Sequence, residues 1–366
     1  YADLWQIRHL RTNMQKFSRL KCAAALAAVW LGLLLRSGAP LVGADAPEPP
    51  PVVPFGPEGG EAEAEGGPDA TGNSAQAAQL LHQAKQRLFG YTSVQAEIRE
   101  FVALGDRRFE AVGRYIAGPF NPLPQIRLEY HVRIGQTEGT LLEVCDGQIL
   151  RTKREIRRVE SAAALDTAAG ESSMGPTAST RGSATLRPFD PDVFVTRRDV
   201  RKILQAVQKH GPTPETILQA ELGIGGLPAL LTSIERAMIF DQVQEEPLAG
   251  RRCFVLHGHW RPEFIADIDR HFAHFKRQVE TYLPESVRIH IDAETIFPVR
   301  ISYWPPAAET GPTRTPVLML EFTDIRLNEP VDARLFEFEA TGTEESDVTD
   351  DFIKAIEAAA RPTTAE

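Results

Sequence analysis

Cysteine is scarce, with three in 366 residues, and no Cys or His spacing resembles a zinc site. The chain also has no apolar run long enough to span a bilayer, because Cys22–Leu35 falls short of the ~20 residues required. A phosphate loop is missing too. Gly223-Ile224-Gly225-Gly226 has no strand before it and no Lys-Ser or Lys-Thr after it. Ser172, Ser173, Ser183 and Ser302 lie outside any nucleophile-elbow pattern, and Glu245-Glu246 reads as a pair of loop charges. His257-Gly258-His259 would project two imidazoles from one strand face. His271 and His274, with Asp267 and Asp269, form a second polar cluster at helical spacing. Neither gains a third ligand at a recognisable spacing, so both read as solvated polar groups, and no metal or cofactor is expected. A patterned chain without a catalytic motif points to binding rather than to an enzyme.

Positive charge is in deficit. Residues 1–44 hold 6 of the 40 Lys plus Arg and 1 of the 50 Asp plus Glu, leaving 34 against 49 beyond them, a balance of −15. Such a surface opposes nucleic acid and anionic membranes. The first 44 residues differ in kind from the rest. Arg8, Arg11, Lys16, Arg19 and Lys21 precede the apolar run, and Val42, Gly43 and Ala44 follow it. That order is expected of a secretory signal peptide, with Met14 as the start and cleavage after Ala44 or Ala46, which implies a periplasmic protein. Cys145 and Cys253 would remain beyond the cleavage site. An oxidising compartment would allow them to pair, but the sequence does not bring them together.

Residues 45–73 are rich in Pro, Gly, Glu and Ala and are expected to form a disordered linker. Ser74 is a candidate cap for a helix with Ala77, Leu80, Leu81, Ala84 and Leu88 on one face. Three period-two runs come next. Val94, Ala96 and Ile98 alternate with Gln95, Glu97 and Arg99. Phe109, Ala111, Gly113 and Tyr115 alternate with Arg108, Glu110 and Arg114. Ile126, Leu128, Tyr130, Val132 and Ile134 alternate with Arg127, Glu129, His131 and Arg133. Short connectors at Gly105-Asp106, Gly118–Pro124, Gly135–Gly139 and Asp146-Gly147 make this an antiparallel meander that is apolar on one side.

A strand is expected over 148–154, and a low-complexity surface excursion over 161–187. Helices follow at 199–207, from Pro214, and from Leu227 to Phe240. They are apolar enough either to cover a ligand or to pack as ordinary helices on the sheet. Their break at Gly223, Gly225 and Gly226 reads either as a hinge or as a fixed corner. Strands are expected again at 252–260, 286–293, 297–304 and 315–327, with an amphipathic helix at 263–282. The acidic tail at 346–366 is helical from Asp350 to Ala360. Eight or nine strands with grouped helices make one α+β domain over 74–345.

Residues 75–345 resemble the LolA/LolB superfamily of periplasmic lipoprotein carriers. The resemblance is carried by Ser93-Val94-Gln95-Ala96, Gly113-Arg114-Tyr115, Ile126-Arg127-Leu128-Glu129-Tyr130 and the Asp146-Gly147 hairpin. It continues in Phe322–Asn328 and in Pro330–Phe338, where Val-Asp precedes Phe-x-Phe. It implies an antiparallel half-barrel whose concave apolar face is covered by helices and holds lipid or the acyl chains of a lipoprotein. The family's lid-latching Arg is replaced here by Gly118.

With the strands curved inward, Val94, Ala96, Ile98, Tyr115, Ile126, Leu128 and Tyr130 are expected to meet ligand. So are Phe254, Leu256, Ile289 and Ile301 from the later strands, and Leu218, Leu222, Leu227, Leu230 and Leu231 from the helices. The expected function is a monomeric periplasmic carrier or binding protein for an amphiphile. The alternative is a sensor module of the RseB type that binds envelope proteins.

Overall fold

Alternating side chains and tight turns decide the architecture of this computed structural model, which describes residues 70–104, 107–119, 125–134, 137–158, 192–209, 225–271, 283–306, 315–339 and 342–360. The amino-terminal half gives β1 (Val94–Leu104), β2 (Arg107–Ala117), β3 (Gln125–Ile134), β4 (Thr137–Asp146), β5 (Ile149–Arg158) and β6 (Asp192–Asp199). The other half gives β7 (Met238–Leu248), β8 (Arg251–Trp260), β9 (Ser286–Asp292), β10 (Pro298–Trp304), β11 (Leu318–Leu327) and the short β12 (Glu345–Asp347). All twelve form one open sheet in the order β12-β6-β5-β4-β3-β2-β1-β11-β10-β9-β8-β7. Every pairing is antiparallel except that of β12 with β6.

The path through the sheet is unusual. The chain starts at the centre with β1, steps outward to β6, reappears at the opposite margin as β7, and steps inward until β11 pairs with β1. Ten strand spacings separate β6 from β7, or about 48 Å at ~4.8 Å each if the sheet were flat. The chain between these two strands includes helices α2 (Val200–Gln208) and α3 (Gly226–Ala237).

Helix α1 (Ala70–Gly90) buries Ala77, Leu80, Leu81, Ala84 and Leu88 and packs against β7 and α3. These side chains share one apolar cluster with Leu231 of α3 and with Leu256 and Ile289 of the sheet. Each fully closed Leu or Ile stabilises the fold by about 1.5–3 kcal/mol. Ser74 is not a cap. The helix begins earlier, and the Ser74 hydroxyl donates to the Phe240 carbonyl at 3.2 Å, tying α1 to the marginal strand β7. Lys85 of α1 pairs with Glu235 of α3.

Three strands depart from the sequence expectation. The third apolar helix stops at Ala237 and not at Phe240, because Met238 already has extended backbone and opens β7. Glu245, Glu246 and Pro247 therefore lie in a strand rather than a loop. Its marginal position leaves one edge unpaired, where Pro needs no partner and charges meet water. Strand β6 follows the excursion directly. Strand β12 is three residues long and is defined by its pairing with Val195, Thr196 and Arg197.

The carboxyl-terminal segment crosses the side of the sheet opposite the apolar face. Arg127 Nη1 donates to the Leu335 carbonyl at 3.1 Å, and Phe336 is buried beside Gly118. Beyond this short 3-10 turn (Ala333–Phe336), Arg151 meets Glu345 and Arg197 meets Asp347, each at 2.9 Å. Helix α5 (Thr349–Ala360) then packs with α2, where Phe352 and Ile353 join Cys145, Leu150, Val200, Ile203 and Leu204 in a second, smaller cluster.

Cys145 and Cys253 are both buried and free. They stand on β4 and β8, seven strand spacings apart, and point to opposite faces. They therefore do not pair within the chain. The expected signal peptide, the expected excursion at 161–187 and the helix expected from Pro214 lie outside the described residues, as does the linker expected over 45–73 except for residues 70–73, which belong to α1. The charged helix is described only as α4 (Pro262–His271). No helix among the described residues is long and apolar enough to cross a membrane.

Two glycines separate backbone necessity from convenience. A Cβ on Gly113 would be driven into the backbone carbonyl of Glu129 across β2 and β3, whereas a Cβ on Gly250 (φ +80°) meets open space. Gly113→Ala should lower stability by about 3 kcal/mol or prevent folding. Gly250→Ala should lose only about 1 kcal/mol, from the strained φ. Urea denaturation midpoints of the two variants check the contrast.

Candidate functional site

Strand register fixes which side chains share the apolar face. One row runs Ala96, Tyr115, Leu128, Glu143 and Thr152 across β1 to β5. The adjacent row runs Ile98, Gly113, Tyr130, Leu141 and Arg154. A third runs from Leu256 through Ile289, Ile301 and Leu320 to Glu100, then on to Ala111 and Val132. The face is thus apolar from β8 to β3 and turns polar at β4 and β5.

The fourteen described residues expected to meet ligand all belong to one apolar cluster. They differ in closure. Val94, Ala96, Ile98, Tyr115 and Tyr130 are buried, as are Leu227, Leu231, Leu256, Ile289 and Ile301. Ile126, Leu128, Leu230 and Phe254 are only half-buried. Leu218 and Leu222 lie outside the described residues.

The amino terminus of α3 sits directly on this face. Gly225 and Gly226 take φ of 110° and 60°, which side-chain-bearing residues rarely adopt. A Cβ on Gly226 would lie 2.6 Å from Tyr115 Oη and 2.9 Å from Ile126 Cδ1. The absence of a side chain lets the backbone approach until the Leu227 N–H donates to Tyr115 Oη at 3.2 Å. That bond satisfies one of the helix's unpaired amides. Burial pushes the Tyr115 hydroxyl up to about 12, so it stays protonated. The sequence marks these glycines as a break, but it does not show that Tyr115 receives the helix end.

Glu100 is the residue that sequence reading passed over. Period two continues beyond Ile98 and puts its side chain on the apolar face, where it is 1% exposed. Neither carboxylate oxygen has a partner at ordinary hydrogen-bond geometry among the described residues, although the Tyr130 hydroxyl lies close enough to act on it. Burial lifts the carboxyl to about 7, and Tyr130 opposes part of that rise. Burial also raises the Tyr130 hydroxyl well above its ordinary value. The neighbouring charge of Glu100 adds to that rise, with a further contribution from Glu143.

The polar flank is internally paired. Thr152 Oγ1 donates to Glu143 Oε1 at 3.2 Å, Arg198 Nη2 donates to Thr152 Oγ1 at 3.2 Å, and Arg198 lies 3.9 Å from Glu143. Arg198 also sits over the Phe352 ring of α5 at 5.8 Å. On the opposite face, burial and the cations Arg300 and Arg288 hold His290 down at about 3, so it is neutral. Its Nε2 lies 3.5 Å from Glu246. His259 Nδ1 lies 3.5 Å from Asp241, and the described residues contain no group of three His, Cys, Asp or Glu able to hold a metal ion. Asp267, Asp269, His271 and His274 lie outside the residues whose side chains are described.

No family model matches the chain, and no curated protein matches it. Solved structures that it is similar to include MucB, at 13% identity and a TM-score of 0.33 over 73% of this chain and 64% of that one. The chain thus spans about two thirds of MucB. Another is an outer membrane lipoprotein-sorting protein domain from Vibrio parahaemolyticus, at 10% identity and 0.26 over 79% and 100%. A third is the lipoprotein LppX of Mycobacterium tuberculosis, at 11% identity and 0.27 over 71% and 98%. Likeness at this level carries no argument about function, which has to come from the face itself.

The Glu100 carboxyl offers a direct measurement. It keeps its proton to about 7 in the folded chain but releases it near 4.5 when unfolded. Stability should therefore fall as pH rises through that interval, by about 3 kcal/mol, and stay lower above it. Glu100→Gln should remove this slope and melt at a higher temperature than the parent protein at pH 8. Thermal unfolding of both proteins from pH 5 to pH 8 checks it.

Proposed function

We propose that the chain is an envelope binding or carrier protein that holds an amphiphile against the apolar face of a half-barrel sheet, beneath the helices that cross it. One observation carries this reading. The face is sealed where α1 and α3 meet β8 to β11, yet Ile126, Leu128 and Leu230 remain partly open beside the docked end of α3. An apolar wall next to a helix held by a backbone-to-hydroxyl bond suits a chain that slides between sheet and helix. Burial of an acyl chain at ~0.8 kcal/mol per methylene supplies affinity without any catalytic group. The acidic balance and the expected signal sequence favour the periplasm, with lipid or the acyl chains of lipoproteins as ligand and a monomer as the working form.

Lipid should co-purify with protein prepared from its own envelope. Native mass spectrometry and organic extraction that both return empty protein, together with capture of one stoichiometric protein partner, would favour a protein-binding sensor instead.

Leu128→Asp should weaken binding of a long-chain amphiphile by at least about tenfold while the protein still folds, because a partly open wall tolerates a charge better than a closed core. Loss of folding would mark position 128 as solid core. Hydrogen exchange separates a moving helix from a static one. Protection of residues 225–237 should rise on lipid binding if α3 swings about Gly225 and Gly226, and equal protection in both states would make the helix a fixed cover.

A further inference from the structure

We propose that Glu100, with the Tyr130 hydroxyl beside it, anchors a cationic, hydrogen-bond-donating end of the amphiphile, an alkylammonium group whose chain lies along the apolar face of β1 to β3. This inference rests on the amphiphile-binding reading above and names the chemical class of its ligand.

Packing alone does not call for a glutamate at position 100. Its row neighbours are Leu320 and Ala111, with Ile301 and Val132 one strand further on either side. An apolar side chain would fill that row without penalty. A carboxylate there gives up water, and neither oxygen meets a partner of ordinary geometry among the described residues. The missing partner is a donor. An ammonium brings three N–H donors and a positive charge, and a carboxylate accepts through both oxygens. Inside an apolar face such a pair is favourable only when it is well hydrogen-bonded, and Tyr130 is the polar side chain that acts on Glu100 there.

Charge of the other sign fits poorly. Glu143 also acts on Tyr130 from the next row, so this part of the face is negative and an anionic head would meet like charge. The cations on this face stand farther off, because Arg154 lies two strands from Tyr130 on β5, and Arg198 is engaged by Thr152 and Glu143 and lies over Phe352. The apolar body of the ligand is accounted for by Ile126 and Leu128, which lie on the same face and are half-buried.

The test uses three twelve-carbon probes with different heads, namely dodecylammonium, dodecanol and dodecanoate. Each is titrated below its micelle threshold into the full chain at pH 8 and followed by calorimetry. The parent protein should bind dodecylammonium at least about tenfold tighter than dodecanol, and dodecanoate weakest. Glu100→Gln should bring dodecylammonium to within about twofold of dodecanol. Tyr130→Phe should weaken dodecylammonium by about threefold, the loss of one neutral hydrogen bond. A preference for the amine that survives Glu100→Gln, or tightest binding of dodecanoate, overturns the assignment of Glu100 alone. Failure of all three probes to bind the parent protein overturns the amphiphile-binding reading itself, and this inference with it.

Discussion

A sheet whose outgoing meander ends at one margin and whose returning meander begins at the other must be bridged by chain that traverses it. That requirement governs most of what is distinctive in this molecule. It accounts for the apolar helices α2 and α3, which lie between the two meanders in the chain. It also explains why α3 needs a glycine pair at its start, since a helix laid over a strand has to bring its backbone down between side chains. Gly226 over Tyr115 and Ile126 is the place where this happens. α1 reinforces the same arrangement by binding both α3 and the far margin through Lys85 and Ser74.

The two faces are built on different physics. The apolar face gains its stability from area removed from water. The opposite face is held by paired ions and by a carboxyl-terminal segment that is threaded across it. Arg300 with Glu321, and Arg288 over the Trp304 ring at 4.7 Å, shield the polar side of the returning strands. On the outgoing strands, Arg127 and the buried Phe336 do this work. The sheet is thus covered on both sides by chain remote in sequence from the strands it touches.

Much of this was legible in the sequence. Period two from Val94 to Val132, with turn residues between the runs, translated into β1 to β3 at the expected positions, and the later strands β8 to β11 followed in order. The strand residues named for the concave face, Val94 to Tyr130 on β1 to β3 and Phe254, Leu256, Ile289 and Ile301 later, all fall in the apolar cluster by the same parity. What escaped notice had one cause, which is that tertiary pairing overrides local preference. β7 contains Pro247 and paired glutamates that argue against a strand, yet a margin tolerates both. β6 ends in Arg197, Arg198 and Asp199, charges that become acceptable only beside Asp347, Glu143 and the Lys202 amide. β12 has no pattern of its own to read. Glu100 could have been found by extending the alternation by one step, but a glutamate next to Arg99 resembles a solvated charge until its strand neighbours are known.

The pairing of Val94 with Leu327 has a consequence for the way the molecule comes into being. The central strand of the sheet is the first to be synthesised and waits for its second neighbour until β11 is made. No hairpin closes that contact, and a chain dominated by such distant pairings folds slowly. Until residues 318–327 are free, β1 presents an uncovered edge along an apolar ribbon, the kind of surface that sticks to its copies. A cell that makes this protein must keep the growing chain from collapsing for the time it takes to complete nearly the whole of it.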